Sequence, residues 1–578
     1  MNVLGINIGH DTSSALIKNG KVVAACEQER YNKKKHTNEF PLDAIKDCLR
    51  IGKLKISDLD IVSVGFLPKE ALNEFFFKPI IKDKRRINFI ADNTNRIIEF
   101  TNLENIIREK LNYKKKIEFN NHHFCHLASA YYPSGFKKSL VISYDGLGEN
   151  QTGQIGLGKG NKIEVIYDKN IFPHSLGLIY AAITFYLGWK PFHDEGIVMG
   201  LAPLGNPHEK MKNKKKSYIE IFRNIIKSGK GLSYSINTEW TTYHYQRNTW
   251  LSKKFFNYFG KSRKPGKKIY RHHKNIAAAL QLRVEEIVLS NLRFLRRNYK
   301  LNHLCIAGGV GLNCSLNGKI HDLKLFRKIF VQPASGDSGL SYGTAIVSFL
   351  KNNNRKTNFK NRNFYLGSRF TTNEIKKCLV KYRNKINFVK KNNIFFETAK
   401  ILKKGFIVAW FQDAAEFGPR ALGNRSILCK PYPMAIKDHV NKYVKFRESF
   451  RPFAPAVLKE YSKKFFSLNQ NSDHMLIATK VQKSMKKKIE ATVHVDNSCR
   501  VQTVDPQVNK KFYNLINNFK KLTNIPVLLN TSFNVKGQPI VNSPYDAILC
   551  FLKYRIDYLV IDNFLIEKKL RINSKFKI

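Results

Sequence analysis

The chain has 578 residues, of which 43% are hydrophobic and 12% aromatic, and this composition excludes a largely disordered protein and predicts two or three packed cores. No run of about 18 apolar residues is present, so we expect no transmembrane helix, and the first residues do not resemble a signal peptide. The formal net charge of +56 favours an acidic or phosphate-bearing partner, although the lysines responsible for it are spread along the whole chain.

The nine cysteines stand singly and form no C-x-x-C pair. This pattern indicates reduced thiols in a cytoplasmic protein and argues against a disulfide framework or a four-cysteine zinc site. The densest local excess of basic residues lies at 205–270. We interpret that segment as a solvated insertion, with contact to a phosphate-bearing partner as the alternative.

The first residues, VLGINIGHDTSSALIKNGKVVAACEQER, predict a strand, a tight turn, a strand, an Asn-Gly hairpin and another strand. Actin-like and hexokinase-like ATPase folds begin with such a hairpin. A second segment that also begins with a strand and a glycine-containing turn starts near 139. A long helical pattern at 274–298 leads into a further strand. The alternation of strand-like and helix-like stretches predicts an α/β architecture.

The segment 351–363 is polar, basic and almost without apolar residues, and it is the predicted linker. Beyond it the chain again alternates strands and helices over a length sufficient for a second domain. We therefore predict a first domain at 1–350 and a second domain at 364–578.

Two histidines and two carboxylates form the first candidate site. The sequence HHFCHLASAYY reads as helical, so His122 and His126 project from one face, whereas His123 points away from it. Asp145 lies at a predicted strand end, and Asp337 lies in a glycine-rich turn after another strand. Two imidazoles and two carboxylates suit iron, manganese or zinc. A metal held in this way can orient and neutralise a nucleotide phosphate.

Three glycine-rich turns follow predicted strands, at 145–149, 308–314 and 335–339. Each turn exposes backbone N–H groups that can bind an anion. Together they favour a phosphate clamp between two lobes. Asn313, in the second turn, can hydrogen-bond a ribose or base, or it can cap the following helix.

The C-terminal half contains arginines beside glycine, proline and aromatic residues, unlike the diffuse lysines elsewhere. Arginine binds phosphate or carboxylate through two parallel hydrogen bonds, a geometry that lysine cannot match. Any one of these arginines can instead form a structural salt bridge, but as a set we predict that they converge on a small doubly charged anion. They are Arg420, Arg425, Arg447, Arg451 and Arg500.

These motifs follow one order along nearly the whole chain: GHD with KKH, HHxxH, DGxGE, GGVxLN, GDSG, EFGPRALG, FRPFAP, HVD with RxQTV, and NTSFN. In that order they resemble the NodU/CmcH carbamoyltransferase family. The resemblance implies an α/β (α+β) protein with a duplicated N-terminal domain of the actin-like ATPase (ASKHA) fold, similar to the tRNA threonylcarbamoyl transferase, and a YrdC-like C-terminal α/β domain. It implies an enzyme that makes carbamoyl-adenylate from carbamoyl phosphate and ATP, with Mg²⁺, and carbamoylates a hydroxyl or amine of a small-molecule acceptor in natural-product, sugar or glycan biosynthesis.

Carried over by position, the resemblance assigns a role to each candidate residue. The general base on the acceptor hydroxyl would be His10, helped by Lys35. The ligands of a metal, iron first and manganese or zinc otherwise, would be His122, His126, Asp145 and Asp337. The residues that bind ATP or carbamoyl-adenylate would be Asp145, Gly146, Leu147, Gly148, Glu149, Gly177, Gly309 and Asn313. Carbamoyl phosphate would be held by Arg420, Ala421, Arg451, Arg500, Asn530 and Ser532.

Some interpretations stay open at this point. The family usually has G-R-x-E before FGPRALG, and this chain has Ala414 in place of that arginine, which weakens the prediction for the activating site. His10 can instead cap a turn, and Lys35 can belong to a solvated basic run. The high charge favours an alternative function, a tRNA-modifying carbamoyl or threonylcarbamoyl-type transferase. The fused C-terminal domain instead favours a small-molecule acceptor over nucleic acid. We predict a cytoplasmic enzyme that does not bind a membrane, and a homodimer is the assembly to test.

Overall fold

The computed structural model describes residues 1–212, 214–353 and 357–569. The chain divides into two compact units, the first formed by residues 1–25 and 38–361, the second by residues 26–37 and the chain from 362 onward. Both units mix helices with open sheets, which confirms the predicted α/β class. Among the described residues, no helix combines the length and hydrophobicity that a membrane crossing requires.

The first unit contains two five-stranded sheets with the same strand order. One has the order β3-β2-β1-β4-β5, and the other has the order β12-β11-β6-β7-β8. In each sheet the central strand, β1 or β6, pairs antiparallel with the next strand of the chain. On its other side lie two further strands joined by parallel pairing, β4 and β5 beside β1, and β11 and β12 beside β6. This repetition confirms the duplication that the sequence resemblance implies.

The strands of the first sheet are β1 (Asn2–Asn7), β2 (Ser13–Lys18), β3 (Lys21–Glu27), β4 (Ile61–Val64) and β5 (Lys116–Phe119). Those of the second sheet are β6 (Lys138–Tyr144), β7 (Gln151–Lys159), β8 (Lys162–Ile171), β11 (His303–Ala307) and β12 (Lys328–Val331). A separate hairpin contains β9 (Ile226–Ser228) and β10 (Tyr234–Ile236). The predicted Asn-Gly hairpin is confirmed, because Asn19 and Gly20 join β2 to β3 with positive φ angles of 50° and 76°.

The longer helices of the first unit are Leu42–Gly52, Lys78–Lys82, Arg86–Ala91, Thr94–Thr101, Leu103–Leu111, His122–Ser134, Leu176–Tyr186, Glu195–Leu201, Tyr218–Ile225, Lys253–Phe259, Arg271–Tyr299, Cys314–Asp322 and Leu340–Lys351. The helix Arg271–Tyr299 confirms the helical pattern predicted at 274–298. The helix His122–Ser134 confirms the helical reading of the histidine segment.

Two of these helices approach closely because Gly343 has no side chain. A Cβ atom on Gly343 would lie 2.0 Å from the carbonyl oxygen of Cys125, which is a forbidden distance. The helix Leu340–Lys351 therefore lies against the helix His122–Ser134. This packing brings the turn just before Leu340 to the histidines of the other helix.

The second unit contains an eight-stranded mixed sheet of the order β13-β22-β21-β14-β15-β20-β16-β19. Its strands are β13 (Ile386–Lys390), β14 (Val408–Phe411), β15 (Arg425–Cys429), β16 (Ala454–Leu458), β19 (Gln502–Val504), β20 (Val527–Ser532), β21 (Tyr558–Ile561) and β22 (Phe564–Lys568). A two-stranded sheet contains β17 (Ala478–Lys480) and β18 (Ser498–Arg500). The longer helices are Thr372–Lys381, Ile394–Lys403, Met434–His439, Lys510–Thr523 and Pro544–Lys553. That the second unit is YrdC-like stays a prediction.

Residues 26–37 lie in the second unit, whereas the sequence analysis placed all of 1–350 in the first domain. Polar contacts explain the difference. The guanidinium of Arg30 donates to the carbonyl of Gly418 at 2.6 Å, and Lys33 Nζ lies 2.6 Å from Asp546 Oδ2. Such contacts are distant in sequence and leave no local pattern. Lys35 consequently belongs to the second unit and His10 to the first.

The predicted linker at 351–363 contains the boundary between the units, which falls between 361 and 362. Residues 354–356 of it lie outside the described residues. Phe359 is buried and packs on Phe349, with ring centroids 5.5 Å apart. This part of the predicted linker therefore belongs to the first unit.

Candidate functional site

The four predicted metal ligands come together at one point in the first unit. His122 and His126 lie on successive turns at the start of the helix His122–Ser134. Asp145 follows β6, and Asp337 lies in the turn before the helix Leu340–Lys351. One ligand atom from each residue lies within 4.8 Å of every other. Parallel pairing of β6 with β11 and of β11 with β12 explains why two turns that follow these strands share one sheet edge.

The closest contact in this four-residue cluster joins His126 Nε2 to Asp145 Oδ2 at 2.7 Å. His122 Nε2 lies 3.5 Å from the same oxygen, and Asp337 Oδ1 lies 3.6 Å from His126 Nε2. The other oxygen of Asp145 accepts hydrogen bonds from the N–H groups of Gly146 and Gly309, at 2.7 and 3.0 Å. Asp145 therefore ties two glycine-rich turns together while it faces the histidines.

Glu149 fixes the start of the histidine helix. Its Oε1 accepts hydrogen bonds from the N–H groups of His122 and Leu67, both at 2.9 Å. Its other oxygen accepts from Asn121 Nδ2 at 3.1 Å, and Asn121 caps the helix through the N–H of Phe124. Glu149 was predicted to bind the adenylate, but in this structure its carboxylate is engaged with the protein.

His123 points away from the cluster, as predicted. Its ring nitrogens lie 3.1 Å from Ser143 Oγ and 2.9 Å from the carbonyl oxygen of Gln151. Burial and the neighbouring histidines lower the pKa of His123 to about 3, so it is neutral at physiological pH. The helical spacing thus separates a structural histidine from two that face the carboxylates.

The electrostatics of the cluster are those of a cation site. Burial, and after it the negative charge of Asp145, raises the pKa of Asp337. Burial opposes protonation of His126, but hydrogen bonds and charges from Asp145 and Asp337 raise its pKa to about 9. Without a cation, protons must therefore balance the buried carboxylate of Asp145 and the partly buried one of Asp337.

The donor set fits a metal ion. Imidazole nitrogens and carboxylate oxygens together suit iron, manganese or zinc. Metal-ligating histidines normally donate through the second ring nitrogen to a neighbouring group. Nδ1 of His126 is buried and has no hydrogen-bond partner within the part of the chain that the structure describes. That second-nitrogen contact is therefore not made in this structure, and the fit rests on the donor set and its spacing.

The glycine-rich turns pack tightly around Asp145. Gly177 is the second residue of the helix Leu176–Tyr186 and donates its N–H to the Asp145 carbonyl at 3.3 Å. Ser175 Oγ donates to the carbonyls of Asp145 and Gly146 at 2.9 and 2.7 Å. The predicted nucleotide-binding residues at 145–149, Gly177 and Gly309 are therefore neighbours in space.

We expect Gly177→Ala to displace this turn. The added Cβ would lie 2.6 Å from backbone atoms of Asp145 and Gly146, so the backbone must shift. The expected cost is about 1–3 kcal/mol of unfolding free energy, together with weaker metal binding. Chemical unfolding and metal titration would measure both effects. Gly196→Ala is the matched control, because its Cβ would meet no atom within 4 Å and alanine favours a helix. Equal stability and equal metal affinity of the two variants would contradict the prediction.

Asn313 performs the helix-capping role that the sequence left open. Its Oδ1 accepts from the N–H of Leu316 at 3.0 Å, at the start of the helix Cys314–Asp322. Its side-chain amide also exchanges hydrogen bonds with Gln281, at 2.9 and 3.1 Å. A contact of Asn313 with a nucleotide stays a prediction.

His10 lies in the turn between β1 and β2, beside the metal cluster. Its Nδ1 lies 3.3 Å from Asp11 Oδ2, and its ring centroid lies 5.7 Å from that of Phe192. Burial opposes protonation, but Asp11 and then Asp337 and Asp145 raise the pKa of His10 to about 9. The side chain is still 37% exposed, so a ligand can reach it.

The second unit contains a cluster of cations, which we call the cationic cluster: Lys35, Lys445, Arg447, Arg451 and Arg500. Burial, then Arg447, lowers the pKa of Lys445 well below its usual range, and Arg451 and Lys35 lower it further. Burial, then Arg451 and Arg500, lowers the pKa of Arg447 in the same way. These charge effects indicate that the five cations share one region of the second unit. The carboxylate of Glu448 opposes them at 3.7 Å from Arg451 Nη1.

Lys445 was not predicted, and it is the best buried member of the cationic cluster, with 4% of its surface exposed. Its Nζ lies 2.6–3.2 Å from four oxygens of Ser532 and Asn534. Among the described residues it has no carboxylate within ion-pair distance. A buried cation without an acidic partner is costly, and a bound anion would relieve that cost. Lys445 also holds Ser532, which was predicted to bind carbamoyl phosphate.

The loop at 416–425 positions Arg420 and Ala421. Glu416 Oε1 accepts hydrogen bonds from the backbone N–H groups of Leu422, Asn424 and Arg425, at 2.8–3.1 Å. Asn530 Nδ2 donates to the carbonyl of Ala421 at 3.2 Å. Ala414, where the family usually has arginine, is buried, and its carbonyl accepts from Asn424 at 2.8 Å. The loop is therefore closed without that arginine.

Arg425 does not belong to the predicted anion site. It is fully buried, and its guanidinium lies over the ring of Phe411 at 3.6 Å. It donates to backbone carbonyls of the surrounding loops, those of Ser368, Gln412, Asp413 and Asn424. Both terminal nitrogens of its guanidinium donate to the protein and the side chain is not exposed, so a structural role explains Arg425 better than the anion-binding role that we predicted.

We expect Arg425→Lys to lower the free energy of unfolding of the second unit by about 3 kcal/mol. An ammonium group cannot reach four divergent carbonyls, so it leaves buried acceptors unpaired. Arg383→Lys, at an exposed turn, should change stability by less than about 0.5 kcal/mol. Urea unfolding of both variants measures the difference. An unchanged midpoint for Arg425→Lys would mean that the guanidinium is not structural.

Comparison with known proteins places both clusters within recognised sequence families. Residues 2–346 match the model for the carbamoyltransferase N-terminus, and residues 399–568 match the model for the carbamoyltransferase C-terminus. The uncharacterized protein sll1178 of Synechocystis sp. is 35% identical over 98% of this chain and 97% of its own. Nodulation protein NolNO of Sinorhizobium fredii is 32% identical over 97% of this chain and 79% of its own length. Nodulation protein NolO of Bradyrhizobium diazoefficiens is 36% identical over 78% of this chain and 79% of its own length. The N-terminal match spans the four-residue metal cluster, and the C-terminal match spans most of the cationic cluster.

Proposed function

Since the chain belongs to the carbamoyltransferase family, we propose that it activates carbamoyl phosphate with ATP as carbamoyl-adenylate and transfers the carbamoyl group to a hydroxyl or amine of a small-molecule acceptor. We assign activation to the second unit and transfer to the first. The observation that carries this proposal is the cationic cluster, in which one buried and four partly buried cations lie together with little acidic compensation.

In the activation step, water cleaves carbamoyl phosphate to carbamate and phosphate, and a carbamate oxygen displaces pyrophosphate from the α-phosphorus of ATP. Lys445, Arg451 and Arg500 would bind the dianion and the phosphate that leaves. Next to Arg447 lies a cavity of about 420 Å³, lined also by Lys442, Phe446 and Lys536. Its lining also includes the acidic Asp438 and Glu448, so the assignment of a nucleotide there rests on its volume and on the three basic side chains.

In the transfer step, the acceptor oxygen adds to the carbamoyl carbon, the bond from that carbon to the AMP oxygen breaks, and AMP leaves with the electron pair. His10 would take the acceptor proton, held in orientation by Asp11. The metal, held by His122, His126, Asp145 and Asp337, would neutralise and orient the adenylate phosphate, with iron, manganese or zinc as the candidates. Cation binding at Asp145 and Asp337 would also offset part of the charge that raises the pKa of His10, which can act as a base only when neutral.

The test uses the metal-loaded full chain with ATP, Mg²⁺, labelled carbamoyl phosphate and a metabolite extract. We expect equal amounts of AMP and pyrophosphate, and label in an acceptor that chromatography and mass spectrometry can identify. Arg451→Ala should stop AMP formation. Formation of ADP instead of AMP, or labelled product without ATP, would refute the adenylate step.

A further inference from the structure

Two short helices of the first unit carry an unusual set of exposed apolar side chains. Ile81, on the helix Lys78–Lys82, is 87% exposed, the largest fraction of any large apolar side chain in the described part of the chain. Phe77, one turn earlier, is 45% exposed, and Ile87, on the helix Arg86–Ala91, is 57% exposed. The two helices contact each other, so these side chains occupy one region of the surface. A single exposed apolar residue is ordinary, but a local group of them marks an interaction site.

The same segment is anchored to the protein through its other side chains. Phe75, Phe76 and Phe89 are buried together in one hydrophobic cluster. Arg86 is buried as well, and its guanidinium lies 5.2 and 4.8 Å from the ring centroids of Phe75 and Phe89. It also donates a hydrogen bond to the carbonyl of His244. The segment is therefore firmly packed on its inner side, and the exposed apolar group lies on its outer side.

Lysines accompany the exposed apolar side chains. Residues 69–91 include six basic and three acidic side chains, and the acidic Glu74 and Asp83 are each paired with a neighbouring cation. Lys82 and Lys84 are exposed and form no ion pair within the part of the chain that the structure describes. Positive charge is therefore left without compensation beside the apolar group. We call Phe77, Ile81, Lys82, Lys84 and Ile87 the docking face.

An anionic lipid surface complements both properties of the docking face. Apolar side chains of an interfacial helix enter the boundary between headgroups and acyl chains, and its lysines bind lipid phosphates. A protein interface of ordinary size uses about 20–30 residues of each partner, many more than this face offers. The formal net charge of +56 also attracts the whole chain to a negatively charged surface.

We propose that the docking face binds the surface of an anionic lipid bilayer, with Phe77, Ile81 and Ile87 inserted among the headgroups and Lys82 and Lys84 on lipid phosphates. This differs from our expectation from the sequence, which has no apolar run long enough to span a bilayer. A helix that lies in the plane of the surface needs no such run. The inference does not depend on the carbamoyl transfer proposed above.

The test measures sedimentation of the full chain with lipid vesicles. One set contains phosphatidylcholine alone, and the other contains about 30% phosphatidylglycerol, which gives the surface a negative potential. We expect at least ten-fold tighter binding to the anionic vesicles. Binding should weaken several-fold when NaCl is raised from about 0.1 M to about 0.5 M, because salt screens the attraction.

Variants assign the binding to the docking face. Ile81→Asp should weaken binding to anionic vesicles ten-fold or more, because it removes the most exposed apolar side chain and adds a negative charge. Lys82→Gln combined with Lys84→Gln should weaken it at least three-fold. Both proteins should form AMP from ATP and carbamoyl phosphate at the wild-type rate without vesicles, which shows that they are folded and that the surface is separate from activation.

The matched controls lie on one exposed helix of the second unit, Thr372–Lys381. Val380 is 42% exposed there, and Lys376 and Lys377 are exposed beside it. Val380→Asp, and Lys376→Gln combined with Lys377→Gln, make the same chemical changes away from the docking face. Both should bind the anionic vesicles like wild type.

Insertion can be measured directly with Ile81→Trp. We expect the fluorescence of the introduced indole to shift to shorter wavelength on addition of anionic vesicles and to be quenched by brominated lipids, relative to wild type. Equal binding to both vesicle sets, wild-type binding by Ile81→Asp, or unchanged fluorescence would overturn the inference. Self-association that is lost in Ile81→Asp, without vesicle binding, would mean that the face contacts a second copy of the chain and would overturn it as well.

Discussion

Lys445→Met is expected to lower kcat/KM for AMP formation from carbamoyl phosphate and ATP by on the order of 10²–10³-fold, the loss typical of one charged donor to a reacting anion. Methionine keeps much of the lysine volume but removes the charge and all the hydrogen bonds to Ser532 and Asn534. Steady-state kinetics with carbamoyl phosphate as the varied substrate measures the effect.

The matched control for Lys445→Met is Lys464→Met, which removes an exposed lysine from the same unit. It should leave the kinetics unchanged. Because Lys445 also stabilises the loop that holds Ser532, thermal unfolding must show that the variant is folded at the assay temperature. A folded Lys445→Met protein with wild-type kcat/KM would show that the cationic cluster does not bind the substrate.

His126→Ala is expected to abolish stoichiometric metal binding and carbamoyl transfer while AMP formation continues. The variant removes the imidazole that lies nearest to Asp145 and leaves the carboxylates of Asp145 and Asp337 with one histidine. Loss of one ligand of four lowers metal affinity by far more than the ten- to hundred-fold typical of an outer-shell partner. Elemental analysis after dialysis, together with the transfer assay, measures both consequences.

His123→Asn is the control for the metal prediction, because His123 is adjacent in sequence but bonds Ser143 and Gln151 instead of facing the carboxylates. It should lose stability and keep its metal. If both variants retain metal, or both lose it, the four-residue cluster is not the metal site. If His126→Ala also stops AMP formation, the two steps are not divided between the units as proposed.

Local sequence rules were sufficient to select the four residues of the metal cluster. The four-residue spacing of His122 and His126 fixed their common face, and aspartates after strands of one parallel run reach the same sheet edge. The Asn-Gly turn likewise predicted the first hairpin. What the sequence could not supply was the packing that brings Asp337 to the histidines, since the close approach at Gly343 depends on a partner more than 200 residues away.

The activating site was harder to predict for a physical reason. Lys445 is one lysine in a chain with 100 lysines and arginines, and only its burial distinguishes it from the solvated ones. Arg425 was included among the anion-binding arginines because its neighbours in sequence resemble those of Arg420. Only the fold shows that its guanidinium is enclosed by carbonyls. Residues 26–37 could not be assigned to the second unit, since the contacts that hold them there involve Gly418 and Asp546, both distant in sequence.

The central claim is reversible adenylation of a carbamoyl group by the second unit, and exchange of labelled pyrophosphate into ATP tests it most directly. The account predicts exchange that requires carbamoyl phosphate, persists in His126→Ala and is lost in Lys445→Met. Exchange that proceeds equally without carbamoyl phosphate, or its absence from wild-type protein that is folded and supplied with Mg²⁺, would contradict the account.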